Sequence, residues 1–184
     1  MNLEGIHHVT AITGDAPQNV DFYTRVLGLR LVKKTVNQDD PTVYHLFYAD
    51  EKGSAGSDLT FFEYPHARPG RAGRGMVHRI VFRLGSEQAL DFWEERLGAE
   101  GVSVERDSNA LRFEDPEGLA LELAVVETDD EALIAEHPEI PAELALQGFD
   151  GVRAYADPAP SKQFLEDTLS FESTGDGVWE IRGA

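Results

Sequence analysis

Residues Asp21–Gly28 read DFYTRVLG, and residues Asp91–Gly98 read DFWEERLG. Asp, Phe, Leu and Gly recur in place at an offset of seventy (91 − 21), and Tyr23 is answered by Trp93. The same offset carries His8 onto His78, so the repeat predicts two histidines at equivalent points of duplicated units. Internal repetition is the strongest guide to architecture, because a repeated unit buries its apolar face against a neighbour.

On the N-terminal side of the repeated segment, GIHHVTAIT (residues 5–13) has strand character. Asp15 is placed to cap a helix whose apolar stripe is Val20, Tyr23, Val26 and Leu27, and Gly28 ends it. Residues 29–36, 42–49 and 59–64 are β-branched or alternating and predict three more strands. The order is β-α-β-β-β over residues 3–64. PHARPGRAGRG (65–75) is a linker. Residues 76–127 repeat the order: a strand to Leu84, a helix capped by Ser86, short strands near 102–105 and 110–114, a DPEG turn at Asp115–Gly118, and a last strand GLALELAVV. The expected organisation is paired units within residues 1–130, an acidic connector at 131–146, and an incomplete third unit at 147–184. In that third unit Phe164 and Leu169 stand where Phe22 and Leu27 stand in the first.

The chain has no cysteine, which excludes disulfides and thiolate metal ligands. Its net charge of -18 repels nucleic acid and anionic membranes, so neither is an expected partner. The acids are scattered rather than blocked, which favours adaptation to high salt over an acidic tail. The start MNLEGIHHVT has no basic segment leading into an apolar one, so the expectation is a cytoplasmic protein.

Alternation along a strand sends His7 and His8 to opposite faces, and the repeat selects His8 as the partner of His78. His7 is then left with a catalytic supporting role beside it. Glu122 lies on the small-residue face of the last strand, between Ala120 and Ala124. A carboxylate there must be exposed, paired or metal-bound. His8, His78 and Glu122 make two imidazoles and a carboxylate, a set that suits Fe(II) and would also accept Mn(II), Zn or Ni. His45, in YHLFY, reads as a packed histidine. Arg68, Arg71, Arg74 and Arg79 form the basic cluster, read as a linker making ion pairs with an acidic body.

GIHHVT, FYTRVLGLRLVKKTVN and DPEGLALEL resemble the vicinal oxygen chelate superfamily of glyoxalases, bleomycin-resistance proteins and extradiol dioxygenases. The run from Gly5 to Tyr64 is similar to the branch that cleaves hydroquinone-type rings. This resemblance implies an α+β fold of tandem βαβββ modules forming an open barrel-like mixed sheet with helices outside. It implies a ring-cleaving dioxygenase with a divalent metal, a small aromatic substrate and dioxygen. A glyoxalase-type lyase or isomerase, or a non-catalytic binding module, are the alternatives. In the resemblance His8 matches the first-strand ligand, and His78 and Glu122 fall on ligand positions of the second unit. Members of that branch draw their remaining ligands from a fourth unit, outside these 184 residues. The expectation therefore divides. His8 is half of a site completed elsewhere, or His78 and Glu122 complete it, or a second chain does. The open sheet edge favours a homo-oligomer.

Overall fold

The computed structural model describes residues 3–182. The described residues form a mixed α+β fold of several sheets, none of them closed into a barrel. The first sheet holds β1 (His8–Thr13), β2 (Arg30–Val36), β3 (Tyr44–Ala49) and β4 (Asp58–Glu63) in the order β1-β4-β3-β2. The second holds β5 (Met76–Leu84), β6 (Glu105–Arg106), β7 (Ala110–Glu114), β8 (Ala120–Val125) and β9 (Phe149–Tyr155) in the order β6-β7-β8-β5-β9. A hairpin of β10 (Glu172–Gly175) and β11 (Val178–Glu180) follows. None of the described helices is long and apolar enough to cross a membrane.

Sheet pairing joins the second unit to the third, not to the first. β5 runs parallel to β8 on one side and antiparallel to β9 on the other. The first and second units meet instead through one shared core, in which Phe22, Tyr23 and Leu27 lie with Leu90, Trp93 and Leu97.

Helix α1 (Ala16–Asp21) is capped by Asp15, which accepts from Gln18 N at 3.0 Å, and continues as a π turn over Phe22–Val26. Leu27 N bonds Phe22 O at 3.0 Å across that turn. A π turn takes up one extra residue. It brings Phe22 to the core beside Tyr23, although the apolar stripe leaves Phe22 out. Gly28, at φ 71°, closes the turn, and a Cβ there would lie 2.4 Å from Ile140 Cδ1. Helix α2 (Glu87–Ala99), capped by Ser86, is regular. The third unit repeats the π turn at Phe164–Thr168, after α3 (Pro158–Gln163).

Side chains of Tyr23, Glu117 and Arg96 make five of the hydrogen bonds that fix the first unit on the second. The fully buried Tyr23 hydroxyl donates to Asp115 Oδ2 at 2.9 Å. Burial and the neighbouring Asp115 push the Tyr23 phenol well above its usual range, so it stays a donor. Glu117, in the DPEG turn, accepts from Gly14 N at 2.7 Å and from the Thr13 hydroxyl. Arg96 of α2 donates to the carbonyls of Val26 and Arg25, satisfying groups at the end of the first helix.

The acidic connector is not a solvated tether. Arg83, almost wholly buried, holds it by donating to Asp130, Glu131 O and Gln147 O. Its apolar residues Ile140, Leu144 and Leu146 join the core, and Trp93 Nε1 donates to Leu144 O at 2.8 Å. His137, in the connector, is half-buried and accepts from Glu139 N.

Tyr23→Phe would leave the buried Asp115 carboxylate one donor short. The expected cost is about 1–3 kcal/mol, read as a lower denaturant midpoint with unchanged slope.

Candidate functional site

The repeat offset is not the same along the unit. In the helix it is seventy. In the strands, Val9 pairs with Leu59 and Ile80 pairs with Leu121, and all four belong to the core cluster or pack against it. Gly14 and Asp15 likewise correspond to Gly85 and Ser86. There the offset is seventy-one (80 − 9), and the π turn of the first unit absorbs the difference. A slip of one residue exchanges the faces of a strand. His8 therefore corresponds to Arg79, and His78 to His7. The predicted equivalence of His8 and His78 fails for this reason.

Among the described residues no group of three or more His, Asp or Glu side chains is gathered to hold a metal. His8, His78 and Glu122 are not brought into one centre. Glu122, 2% exposed, is instead surrounded by guanidinium groups. Its carboxylate accepts from Arg79 Nη1 at 3.2 Å, Arg112 Nε at 3.2 Å, Arg153 Nη2 at 2.7 Å and Arg153 Nε at 3.3 Å. Three of these bonds fall on Oε2 and one on Oε1, so both carboxylate oxygens are held by guanidinium groups. Burial acts to raise the Glu122 pKa, but Arg153 and Arg112 outweigh it and hold the carboxyl below its usual range. His78 sits at an irregularity in β5 between Val77 and Arg79, and its ring stacks on Tyr155 with centroids 3.9 Å apart. Of the expected basic cluster, Arg79 thus serves Glu122, while Arg74 reaches Asp157 at 4.0 Å.

The first sheet has a different character. Val9 and Ala11 pack on the core, so His8, Thr10 and Ile12 line the opposite, open face. Register places Asp58, Thr60 and Phe62 beside them, and His45 and Phe47 beyond. Three rows result, about 7 Å apart by strand geometry: His8 with Asp58, then Thr10, Thr60 and Phe47, then Ile12, Phe62 and His45. Thr60 donates to Thr10 across the middle row at 3.0 Å. The His45 ring lies 3.9 Å from Phe62 and 4.0 Å from Phe47, centroid to centroid.

His7 and His8 are not on opposite faces. His7 precedes the strand, where alternation does not bind it, and the two Nδ1 atoms lie 3.2 Å apart in one hydrogen bond. One ring must carry the proton and the other the lone pair. No protein group among the described residues engages the other nitrogen of His8. Beside it, Asp58 Oδ1 is buried without a donor. Burial raises the Asp58 carboxyl, against the pull of His8 and His7. His45 Nε2 is also buried and unpartnered, and burial lowers the His45 pKa. An imidazole with a free nitrogen next to an unused carboxylate oxygen fits part of a divalent-cation site. It is two donors, not a full set. Sequence reasoning missed Asp58, although its place at the start of a strand opposite His8 was a usable signal.

The Glyoxalase/Bleomycin resistance protein/Dioxygenase superfamily model matches residues 5–123. A curated relative from Bacillus subtilis (strain 168), "Putative ring-cleaving dioxygenase MhqA", is 42% identical over 93% of this chain and 56% of its own length. The chlorohydroquinone/hydroquinone 1,2-dioxygenase of Sphingobium indicum is 34% identical over 80% of this chain and 48% of its own length. A crystal structure of a Bacillus subtilis subsp. subtilis str. 168 protein with a similarly provisional dioxygenase name superposes with a TM-score of 0.90 at 37% identity. It covers 99% of this chain and 61% of that one. The chain thus spans about half to three fifths of the length of these relatives.

Glu122→Gln keeps the shape and removes the charge that balances the arginines. Because those arginines are partly exposed, a loss near the low end for a broken buried pair is expected, about 3 kcal/mol. The folded pKa of Glu122 is depressed, so its contribution is full above the unfolded carboxyl value of about 4.3 and is lost as pH falls through the folded value. Wild type and variant should therefore converge in stability in acid. Bound divalent metal per chain should not change; a loss of metal would restore Glu122 as a ligand.

Proposed function

The chain belongs to the Glyoxalase/Bleomycin resistance protein/Dioxygenase superfamily, and from that premise we propose that it carries the first half of a metal-dependent dioxygenase that cleaves dihydroxylated aromatic rings of the hydroquinone type. The observation that carries the reading is the open face of the first sheet, where His8 and Asp58 stand one row away from Thr10, Thr60 and Phe47 and two rows from Phe62. The names of the relatives make an aromatic substrate and dioxygen the natural occupants.

In this reading His8 and Asp58 hold a divalent ion, Fe(II) before Mn(II). The remaining donors come from whatever unit pairs along β1. When bound, such an ion supplies a path for electrons from a chelating ring to dioxygen. His7 fixes the orientation of the His8 ring through the Nδ1 contact, as outer partners of metal-bound imidazoles do. Phe47 and Phe62 offer flat apolar area to the ring, and the Thr10–Thr60 pair gives hydroxyls within one row of His8. His78 and Glu122 take no part.

His8→Ala should lose bound metal and lower hydroquinone-dependent oxygen uptake about 100-fold or more, which is about 2.7 kcal/mol of barrier. His78→Ala should keep both. Measurement is by elemental analysis and an oxygen electrode, on protein loaded with Fe(II) without air. Turnover of a thiol hemithioacetal in the absence of oxygen, with no oxygen uptake on hydroquinone, would assign the chain to the lyases instead.

A further inference from the structure

His7 stands just ahead of β1, so strand alternation does not set the direction of its ring. Some other contact must, because the His7–His8 bond needs the two Nδ1 atoms 3.2 Å apart. The backbone hydrogen bond that holds His7 comes from the loop before β4: Gly56 N donates to His7 O at 2.8 Å. The carbonyl of Gly56 in turn accepts from Phe149 N at 2.7 Å, at the start of β9. The segment that provides Phe149 is anchored on β5. Arg83 N donates to Gly148 O at 2.9 Å, and Gln147 N donates to Arg83 O at 3.0 Å. His7 on the first sheet is thus tied to the second sheet through the backbone of Gly56.

Gly148 is where the tie is tightest. Its φ is 90°, and a Cβ there would lie 2.9 Å from Gly56 O and 3.2 Å from Leu133 Cδ1. A side-chain end can swing aside, but a backbone oxygen moves only with its loop, so a side chain at 148 displaces Gly56. Other glycines at positive φ are free of this constraint. Gly5 begins GIHHVTAI as Gly148 begins GFDGVRAY, yet at φ 137° it has nothing within 4 Å of its Cβ position. Gly101, at φ 76°, has nothing there either.

We propose that Gly148 is a positioning residue for the His7–His8 pair. By admitting Gly56 O to Phe149 N it fixes Gly56, whose amide holds His7, and His7 holds the ring of His8 through the Nδ1 contact. The second sheet thereby sets the geometry of a site on the first. The consequence for metal binding rests on the reading of His8 as a ligand; the geometry of the histidine pair does not.

Two readouts on the full chain test this. The first is the ring-nitrogen shifts of His7 and His8, taken without metal at about pH 8, above the ordinary imidazole value. The unmodified protein should show one Nδ1 protonated and the other accepting, and Gly148→Ala should lose that signature. The second is Mn(II) affinity, read by electron paramagnetic resonance. Gly148→Ala should weaken it about 10–100-fold, the range for losing an outer partner of a metal-bound imidazole. Gly101→Ala introduces left-handed strain with open space around it and should change neither. A signature absent from the unmodified protein, ring shifts untouched by Gly148→Ala, or equal effects of the two substitutions on either readout would each overturn the proposal. If the unmodified chain binds no Mn(II), the reading of His8 as a ligand falls and the ring shifts alone decide the positioning. If Gly148→Ala does not fold, Gly56→Ala replaces it. Its Cβ would meet the end of the Leu133 side chain at 3.3 Å, the same loss of signature is expected, and unchanged ring shifts there count equally against the proposal.

Discussion

A β-strand has two rows of backbone donors and acceptors, and both must be answered by a partner or by water. In this chain β5 answers both with protein, β8 on one side and β9 on the other. That arrangement commits the second unit to the third and brings Arg153 of β9 over the face where Glu122 lies. The carboxylate could remain buried only with cations around it, and side chains supply them. A site that reads as a metal centre in composition is a closed set of ion pairs in structure.

With the second unit committed, the first is held by its helix rather than by its sheet edge. The π turn presents Phe22, Tyr23, Val26 and Leu27 together, and the Tyr23 hydroxyl and the Glu117 carboxylate lock the orientation. Asp115 is the pivot. Burial raises its carboxyl above the ordinary value, yet it accepts from Tyr23, Glu117 N and Leu119 N at 2.8–2.9 Å. One acidic turn thereby serves both its own unit and the neighbouring helix. The consequence for function is positional: the face of the first sheet that carries His8 points away from this core and stays open.

Much of this architecture is legible in the sequence. The duplicated DFxxxxLG segment marks the units, and the strand order follows from alternation and turn chemistry. DPEG reads as a turn, though not as a clamp. Three features escape for physical reasons. The two glycines that end the repeated segment look alike, but Gly28 sits at positive φ against Ile140, whereas Gly98 lies inside α2 with nothing near its Cβ position. The single residue taken up by the π turn leaves no mark in composition, yet it moves His8 and His78 to different strand positions. Which unit pairs with which depends on edges whose hydrogen bonds are the same for any sequence. A signal for Glu122 did exist. Arg79, Arg112 and Arg153 each fall in a strand, and alternation would have allowed all three onto its face.

Corresponding positions in the two units differ in chemistry. Where the second unit has Arg79 and Glu122, the first has His8 and Thr60. Arginine beside glutamate is self-neutralising; once formed, the pair has little to gain from an ion or a ligand. Histidine beside threonine carries no fixed charge to cancel, and both keep donor or acceptor capacity. Asp58 adds a carboxylate with one oxygen unanswered. The same strand positions thus give a set of ion pairs in one unit and an open, aromatic-lined face in the other. Buried polar atoms left without partners are costly, and a face that retains two of them, Asp58 Oδ1 and His45 Nε2, gains stability from whatever binds there. The second sheet also retains two, Arg79 Nε and Arg83 Nε, but those are cationic donors, whereas a carboxylate oxygen and an imidazole nitrogen are groups that a cation can satisfy.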